Sequence, residues 1–187
     1  VAARPEVQSV AVAMQHPLAG GWTSSFTIEG RQPPPHGQEP ESSIRPVMPG
    51  YFRAVGAKLL RGREIQEADG VGAPGVVVIN EASARGFFSG RDPIGQTIEF
   101  NPTHRYQVIG IVRDTGTGDF EDDVLAPIGP TYYRSYTQSG AQATTVLART
   151  SRDAASLIAA MQRELRAVDI TLPAITAKTM AQRLEES

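Results

Sequence analysis

The sequence predicts an α+β fold, and two strand signals and one helix signal carry this prediction. Val76–Ile79 is continuously apolar and β-branched, the pattern of a strand that is covered on both faces. Tyr106–Val112 gives the strongest strand signal in the chain. Asp153–Val168 predicts an amphipathic helix that packs one stripe against a sheet. That stripe consists of Leu157, Met161, Leu165 and Val168.

The first fifty residues predict strands joined by turns. Val7–Met14 carries alternate valines and ends before His16-Pro17, which indicates a strand. Phe26 and Ile28 alternate with polar residues, as in a half-buried strand, and we expect Trp22 at a core edge rather than in a ligand site. The proline-rich connection over residues 31–41 predicts a solvated surface loop, with a docking segment for a partner as the alternative.

The next segment, from Met48 to Ile98, predicts two short helices around a buried strand. Tyr51–Val55 presents Phe52 and Val55 inward, and Gly56 is suited to the C-cap. Asn80 is suited to the N-cap of the second helix. The buried face of that helix consists of Ala84, Phe87 and Phe88.

Arg61-Gly62-Arg63 predicts a basic turn within this segment. Two cations beside a glycine are able to bind an anion. Ion pairing with nearby acids is the commoner outcome at a surface. The nearby acids are Glu64, Glu67 and Asp69.

Gly110, inside the strand predicted at Tyr106–Val112, predicts a bulge or a close backbone approach. An acidic loop, Asp114–Asp123, follows this strand. Carboxylates on a flexible loop suit Ca²⁺, but the spacing does not match an EF-hand, and we expect a solvated loop without a metal. Thr131–Tyr136 predicts a strand whose tyrosines (Tyr132, Tyr133 and Tyr136) form either a contact face or an edge.

The C-terminal part predicts a further strand at Thr144–Thr150, a helix capped by Asp153 and a last short strand at Leu172–Ala177. Thr179 and Gln182 are spaced as a capping box for a final helix. That helix ends in mid-pattern at Ser187, and the chain begins at Val1 rather than Met. We therefore expect a piece cut from a longer protein.

Composition narrows the class of protein. The chain has 187 residues, 40% hydrophobic and 20% charged, which is enough for one core or two small subdomains. Its net charge of −2 and dispersed Lys and Arg give no nucleic-acid footprint. The absence of cysteine excludes disulfides and thiolate metal sites. No signal peptide and no apolar run long enough for a membrane span are present.

No catalytic constellation is visible, so we predict no catalytic, cofactor-binding or metal-ligating residues and no enzyme activity. The three histidines, His16, His36 and His104, lie far apart. The chain lacks zinc-protease, nucleophile-elbow and phosphate-loop motifs. A hydrolase whose site assembles only in space is the third and weakest of the functional hypotheses.

Four segments, in order, resemble the periplasmic core domain of MacB/FtsX-type ABC transporter permeases. They are MPGYFRAVGAKLLRGREI, VVVINEASARGFFSGRDPIGQTI, YQVIGIVRD and the stretch from ARTSRDAASLI to the end. The resemblance extends from about Glu6 to Ser187. It implies two subdomains. The first is a porter-like subdomain with a split β-α-β layout, formed by residues 1–55 together with residues 142–187. The second is an inserted α+β subdomain, formed by residues 56–141. The amphipathic helix between strands agrees with half of that layout.

The resemblance also implies a function without chemistry. Such a domain lies on the periplasmic side of the bacterial inner membrane, between its own transmembrane helices, and a cytoplasmic ABC ATPase drives it. The resemblance implies that such a domain transmits motion to cargo or to partner proteins, in efflux or in lipoprotein or peptide handling. A periplasmic adaptor is one such partner. No cofactor is implied, and we expect the excised domain to be monomeric. The alternative is a free-standing periplasmic module that binds a ligand or a protein through the acidic loop or the tyrosine strand.

Overall fold

Ten strands in the described part of the chain form one mixed sheet. The computed structural model describes residues 6–19, 22–35, 37–114, 129–140, 144–151, 153–168 and 176–185. The strands are β1 (Val7–Ala13), β2 (Trp22–Ser25), β3 (Thr27–Ile28), β4 (Glu41–Val47), β5 (Leu59–Gly62), β6 (Val76–Asn80), β7 (Thr97–Asn101), β8 (His104–Val112), β9 (Thr131–Ser135) and β10 (Thr145–Thr150).

Four α-helices lie between or after these strands in the same described ranges. They are α1 (Tyr51–Val55), α2 (Glu81–Phe87), α3 (Ala154–Val168) and α4 (Met180–Glu185), with 3-10 turns at Glu67–Asp69 and Tyr136–Gln138. The predicted α+β class is confirmed. None of the helices in these ranges has the length and apolar character of a membrane span.

The sheet order is β10-β1-β4-β9-β6-β8-β7-β3, with β2 also paired to β4 and β5 to β8. The β4–β9 and β6–β8 pairs are parallel, and the other pairs are antiparallel. Strands from both ends of the chain therefore meet strands from its middle in one hydrogen-bonded layer.

Strand β6 lies inside this sheet between β9 and β8, and all its residues are buried. Successive side chains of a strand point to opposite faces. Val76 and Val78 accordingly belong to a first core, on one face, and Val77 and Ile79 to a second core, on the other. The prediction of a strand covered on both faces is confirmed.

Each core draws on residues that are distant in sequence. The first core includes Ala13, Val47, Phe52, Ile65, Val112 and Tyr133. The second core includes Phe26, Ile28, Phe88, Ile98, Val108 and Tyr132. Phe26, Phe100 and Tyr132 pack edge-on or tilted against one another, with ring centroids 4.9–6.0 Å apart, in the geometry that aromatic quadrupoles favour.

The interpretation of the tyrosine strand as a contact face or an edge is wrong. Strand β9 lies between β4 and β6, so it is an interior strand. Tyr132 and Tyr133 point to opposite faces and enter different cores, and their exposed fractions are 0% and 6%. Tyr136 lies beyond the end of β9, in a 3-10 turn.

Two glycines explain how β5 lies against β8. An ideal Cβ on Gly110 would lie 2.2 Å from the Arg63 carbonyl oxygen. An ideal Cβ on Gly62 would lie 2.1 Å from the Ile109 carbonyl oxygen. The predicted close backbone approach at Gly110 is therefore confirmed. The predicted turn at Arg61-Gly62-Arg63 is corrected, because β5 continues through Gly62, whose φ of +72° then redirects the chain.

The predicted helix caps are confirmed. Gly56 adopts a left-handed conformation after α1. The Asn80 and Asp153 side chains accept from the backbone N–H of Ser83 and Ser156, each at 3.0 Å. In the capping box of α4, Thr179 N–H donates to Gln182 Oε1 at 2.8 Å and Gln182 N–H donates to Thr179 Oγ1 at 3.1 Å.

Several predictions concern residues outside the described ranges. They include the acidic loop beyond Asp114, His36 and most of the strand predicted at Leu172–Ala177. The described residues of the proline-rich connection, 31–35 and 37–41, lie mostly at the surface and have no regular structure before Glu41, as predicted. Trp22 is half-buried on β2.

Candidate functional site

The described histidines do not build a reactive centre. His104 is exposed and bonded to Asn101 Oδ1 at 2.8 Å, while His16 is half-buried after β1. Within the ranges given above, no group of three or more His, Asp or Glu side chains is placed to hold a metal ion. The prediction that no residue is catalytic or binds a metal remains a prediction.

The two arginines of the predicted basic turn are both ion-paired. Arg63 donates from Nη1 and Nη2 to the Asp69 carboxylate at 2.7 and 2.8 Å. These hydrogen bonds lower the pKa of Asp69, although its burial opposes the shift. Arg61 pairs with Asp92, which is not one of the acids predicted for it. Ion pairing, the commoner of the two predicted outcomes, is the one observed.

Asp114 is the only residue of the acidic loop that the structure describes. Its carboxylate accepts from Ala82 N–H at 3.0 Å and from Arg85 Nη2 at 2.9 Å, close to the start of α2. This residue therefore joins β8 to α2.

Two buried polar side chains in the sheet, Asn80 and Arg45, make structural hydrogen bonds. Asn80 Oδ1 accepts from Ser83 and from Thr131 N–H, which ties α2 to β9. Arg45, 5% exposed, donates to the Ala19 carbonyl at 3.0 Å. The Tyr132 hydroxyl, by contrast, is buried without a hydrogen-bond partner among the described residues, and burial raises its pKa. Tyr132 thus belongs to the second core.

A cleft of about 420 Å³ lies along β10. Strand β10 forms one wall, the first half of α3 a second, and residues 176–179 with the start of α4 a third. Among the described strands, β10 pairs only with β1 and lies at the end of the sheet order. We call this space the β10 cleft.

The β10 cleft has an apolar interior and a polar rim. Val146, Leu147, Leu157, Ile158, Met161 and Met180 line the interior. Threonines and Gln162 contribute hydroxyl and amide groups. Among the described residues, the titratable side chains that line it are His16, Lys178 and Arg183. An apolar interior with a few polar groups is the usual composition of a ligand site.

The electrostatic environment at the His16 end is positive. Burial lowers the pKa of His16, and the charges of Arg183 and Arg45 lower it further. His16 is thus held neutral at physiological pH, since the ordinary value is already near 6.5.

Sequence reasoning missed this cleft. His16, β10, α3 and Arg183 converge over a separation of more than 160 positions, which no local motif records. One signal was available in the helix stripe, which was predicted to pack fully against a sheet. Leu157, at 5% exposure, and the partly buried Met161 both line the cleft, while the side chains of Leu165 and Val168 lie outside the described part of the structure.

The fold is that of extracytoplasmic domains of ABC-type transporters. The periplasmic region of MacB from Actinobacillus actinomycetemcomitans superimposes with a TM-score of 0.60 at 17% identity, covering 89% of this chain and 70% of that one. The extracellular domain of the ABC-type transporter YknZ from Gram-positive bacteria superimposes with a TM-score of 0.58 at 14% identity, covering 91% of this chain and 81% of that one.

The chain belongs to the MacB-like periplasmic core domain family, whose model matches residues 1–164. A curated relative, the macrolide export ATP-binding/permease protein MacB of Aggregatibacter actinomycetemcomitans, is 35% identical over 80 residues, or 43% of this chain. The chain spans only 12% of that relative. The chain is thus a periplasmic domain of a MacB-like permease, and the predicted family and location are confirmed.

Proposed function

We propose that this domain is a non-catalytic coupling element of an ABC permease, which transmits ATP-driven motion to cargo or to partner proteins in efflux or in lipoprotein or peptide handling. The family match is the observation that carries the proposal. The curated relative is named as an ATP-binding and permease protein for macrolide export. By this proposal the domain works beside its own transmembrane helices and a cytoplasmic ABC ATPase, with a periplasmic adaptor as a further partner.

The continuous sheet supports a mechanical role. A displacement applied at the chain ends near β1 reaches β4, then β9 and β6, through backbone hydrogen bonds. Protein interiors are densely packed and transmit strain well. Both faces of the central strand β6 are packed, so this layer is suited to move as a body.

The division into two subdomains is part of the proposal. Residues 1–55 with 142–187 contain β1–β4 and β10, and residues 56–141 contain β5–β9. The β4–β9 pair and the first core cross this division. We therefore propose that motion passes between the two parts through that pair.

The coding context tests the proposal first. Membrane helices directly before Val1 and after Ser187 in the full-length gene product, with an ATPase in the same protein or encoded beside it, are expected. A gene product that consists of this domain alone with a secretion signal would favour the free-standing binding module instead.

A direct test follows the domain in the complete transporter in nanodiscs. These 187 residues contain no cysteine, so once any cysteines elsewhere in the transporter are replaced, a dye on Glu67→Cys, at an exposed position, reports the domain selectively. Energy transfer from this dye to headgroup-labelled lipid should change between ATP and ADP, and the change should persist with a hydrolysis-deficient ATPase that still binds ATP. Identical transfer in every nucleotide state during active transport would refute the coupling role.

A further inference from the structure

We propose that Arg31 locks a closed ring of strands, which joins the two proposed parts of the domain at two places and makes them move as one body. The role of this lock in transport rests on the coupling function proposed above. The ring and the lock themselves can be tested on the domain alone.

The pairing of the described strands closes the sheet on itself. Strands β4, β9, β6, β8, β7 and β3 are neighbours in that order, and β2 pairs with β4. Only Phe26 separates β2 from β3 along the chain. The path that leaves β4 through β9 and β6 therefore returns to β4 through β3 and β2.

The closing segment bonds to the strands on both of its sides. The Phe26 N–H donates to the Pro40 carbonyl at 3.1 Å, next to the last residue pair of β2 and β4. The Glu29 N–H donates to the Thr97 carbonyl at 2.9 Å, which extends the β3–β7 pairing by one residue. The second core takes residues from β3, β6, β7, β8 and β9. A ring of strands around one such core is a small barrel.

Arg31 holds the end of the closing segment against α2 and the turn before β7. Its guanidinium donates from Nη1 to the Phe87 carbonyl and from Nη2 to Gln96 Oε1, the latter at 3.4 Å. The guanidinium carbon lies 5.3 Å from the centre of the Phe88 ring. Charged donors make stronger hydrogen bonds than neutral ones, and a cation over an aromatic ring adds attraction. Arg31 belongs to the first proposed part, and these partners belong to the second.

The two proposed parts are therefore joined at two places. One link is the β4–β9 pair, and the other is the closing segment. Strand β3 pairs through only two residues, but the Phe26 ring before it packs 4.9–6.0 Å from the rings of Phe87, Phe100 and Tyr132. Two bodies that are fixed to each other at separate places cannot turn about either link alone.

Hydrogen exchange in the 187-residue domain, followed by NMR at single amides, tests the lock. Arg31→Met removes the donors and keeps an unbranched apolar side chain. The Glu29 amide should then exchange about tenfold faster or more, the effect of losing one hydrogen bond from a charged donor. Amides between β1 and β10 should be unchanged. Arg91→Met, at an exposed position after α2, is the matched control and should leave Glu29 within about twofold.

A milder variant keeps this test decisive. Arg31→Lys retains a cation and loses the planar fork, so the Glu29 amide should exchange at a rate between those of the parent and Arg31→Met. Thermal melting establishes which variants fold. Unchanged exchange at Glu29 in folded Arg31→Met would overturn the lock. If Arg31→Met does not fold, exchange at the parent's rate in Arg31→Lys would overturn it.

Spin labels on Gln8→Cys and Glu67→Cys, exposed positions in the first and second proposed part, test whether the parts move together. Pulsed electron–electron double resonance should give one narrow distance distribution in the parent domain and a broader one in Arg31→Met. Two separate distances in the parent would contradict a single body. An equally narrow distribution in Arg31→Met would show that the β4–β9 link suffices without the lock, and would overturn it.

The complete transporter relates the lock to the coupling function. With the dye on Glu67→Cys, Arg31→Met should reduce the change in energy transfer between ATP and ADP by about twofold or more. An equal change in parent and variant would overturn the role of Arg31 in coupling. No change in the parent itself would refute the coupling function instead, and the measurements on the domain would still decide whether Arg31 is a lock.

Discussion

At the scale of single residues, Asp69 shows how a surface loop is fixed to the sheet. It is 7% exposed and accepts three hydrogen bonds, two from Arg63 and one from the Gln66 backbone at 2.8 Å. Hydrogen bonds to a charged group contribute more than neutral ones do. The pair therefore stabilises the chain reversal that follows β5.

We predict that Asp69→Asn lowers the free energy of unfolding by about 1–3 kcal/mol at pH 7, since the charged acceptor is lost. The folded-state pKa of Asp69 lies below its unfolded value of about 4. Its stabilisation is therefore present above that unfolded value and disappears as the pH falls through the lower folded-state value. Urea denaturation at several pH values should show that the variant has a flatter acid limb than the parent.

Asp92→Asn is the matched control. The Asp92 and Arg61 side chains are both 54% exposed, so solvent screens their pairing. We expect a much smaller loss of stability than for Asp69→Asn. Equal losses in the two variants would contradict the role assigned to burial.

Gly110 is the second residue on which the fold depends. We predict that Gly110→Ala lowers the free energy of unfolding by about 2–3 kcal/mol or more, because the new Cβ meets the Arg63 carbonyl oxygen and forces β5 away from β8. Gly86, inside α2, has no atom within 4 Å of an added Cβ. Gly86→Ala should instead stabilise by about 0.5–1 kcal/mol through helix propensity. Chemical denaturation of both variants checks the contrast in sign.

At the scale of elements, Asn80 joins a strand, a helix and a neighbouring strand. Its side chain caps α2, accepts from Thr131 N–H at 3.0 Å and donates to the Gly129 carbonyl at 3.0 Å. This side chain is 1% exposed. No water can replace these partners without rearrangement of the sheet.

We predict that Asn80→Ala lowers the free energy of unfolding by about 3 kcal/mol, because it removes the cap and leaves buried donors unsatisfied. Asp153→Ala, which removes the exposed cap of α3, should lower it by about 1 kcal/mol. Denaturation curves for both variants provide the comparison. If the two losses are equal, the Asn80 side chain acts only as a cap and the link to β9 is unimportant.

Local patterns predicted elements well where the signal was local. The apolar run of β6 and the caps at Asn80, Asp153 and Thr179 are each encoded within a few residues. The position of β9 was mispredicted because its neighbours, β4 and β6, lie about 50 to 90 residues earlier in the chain. The sequence of a strand does not by itself indicate which distant strands it pairs with.

The β10 cleft illustrates the same limit for a candidate site. The helix stripe indicated an apolar face, but the distance between that face and β10 depends on how the two elements pack. Charge could not be assigned to the cleft either, because His16 and Arg183 approach each other only in the folded chain.

At the scale of the whole molecule, the single sheet predicts which backbone amides are best protected from hydrogen exchange with solvent. We predict that the amides of β6 exchange slowest, by global unfolding, since β6 is paired on both sides and packed on both faces. Amides of α3 should exchange faster. Hydrogen exchange followed by mass spectrometry measures both, and β6 exchange as fast as that of α3 would contradict the central position of β6.

The pairing of β1 with β10 has a consequence for synthesis. Val7 pairs with Thr150, and Ala13 pairs with Thr145. Strand β1 therefore cannot pair with β10 until the chain has been synthesised to about residue 150. While the chain is still growing, the edge of β1 is open, and open strand edges recruit other chains. Closure over so long a loop is also slow. Newly made protein should therefore need a chaperone or low crowding until about residue 150 has been synthesised. Truncation before β10 should cause the domain to aggregate.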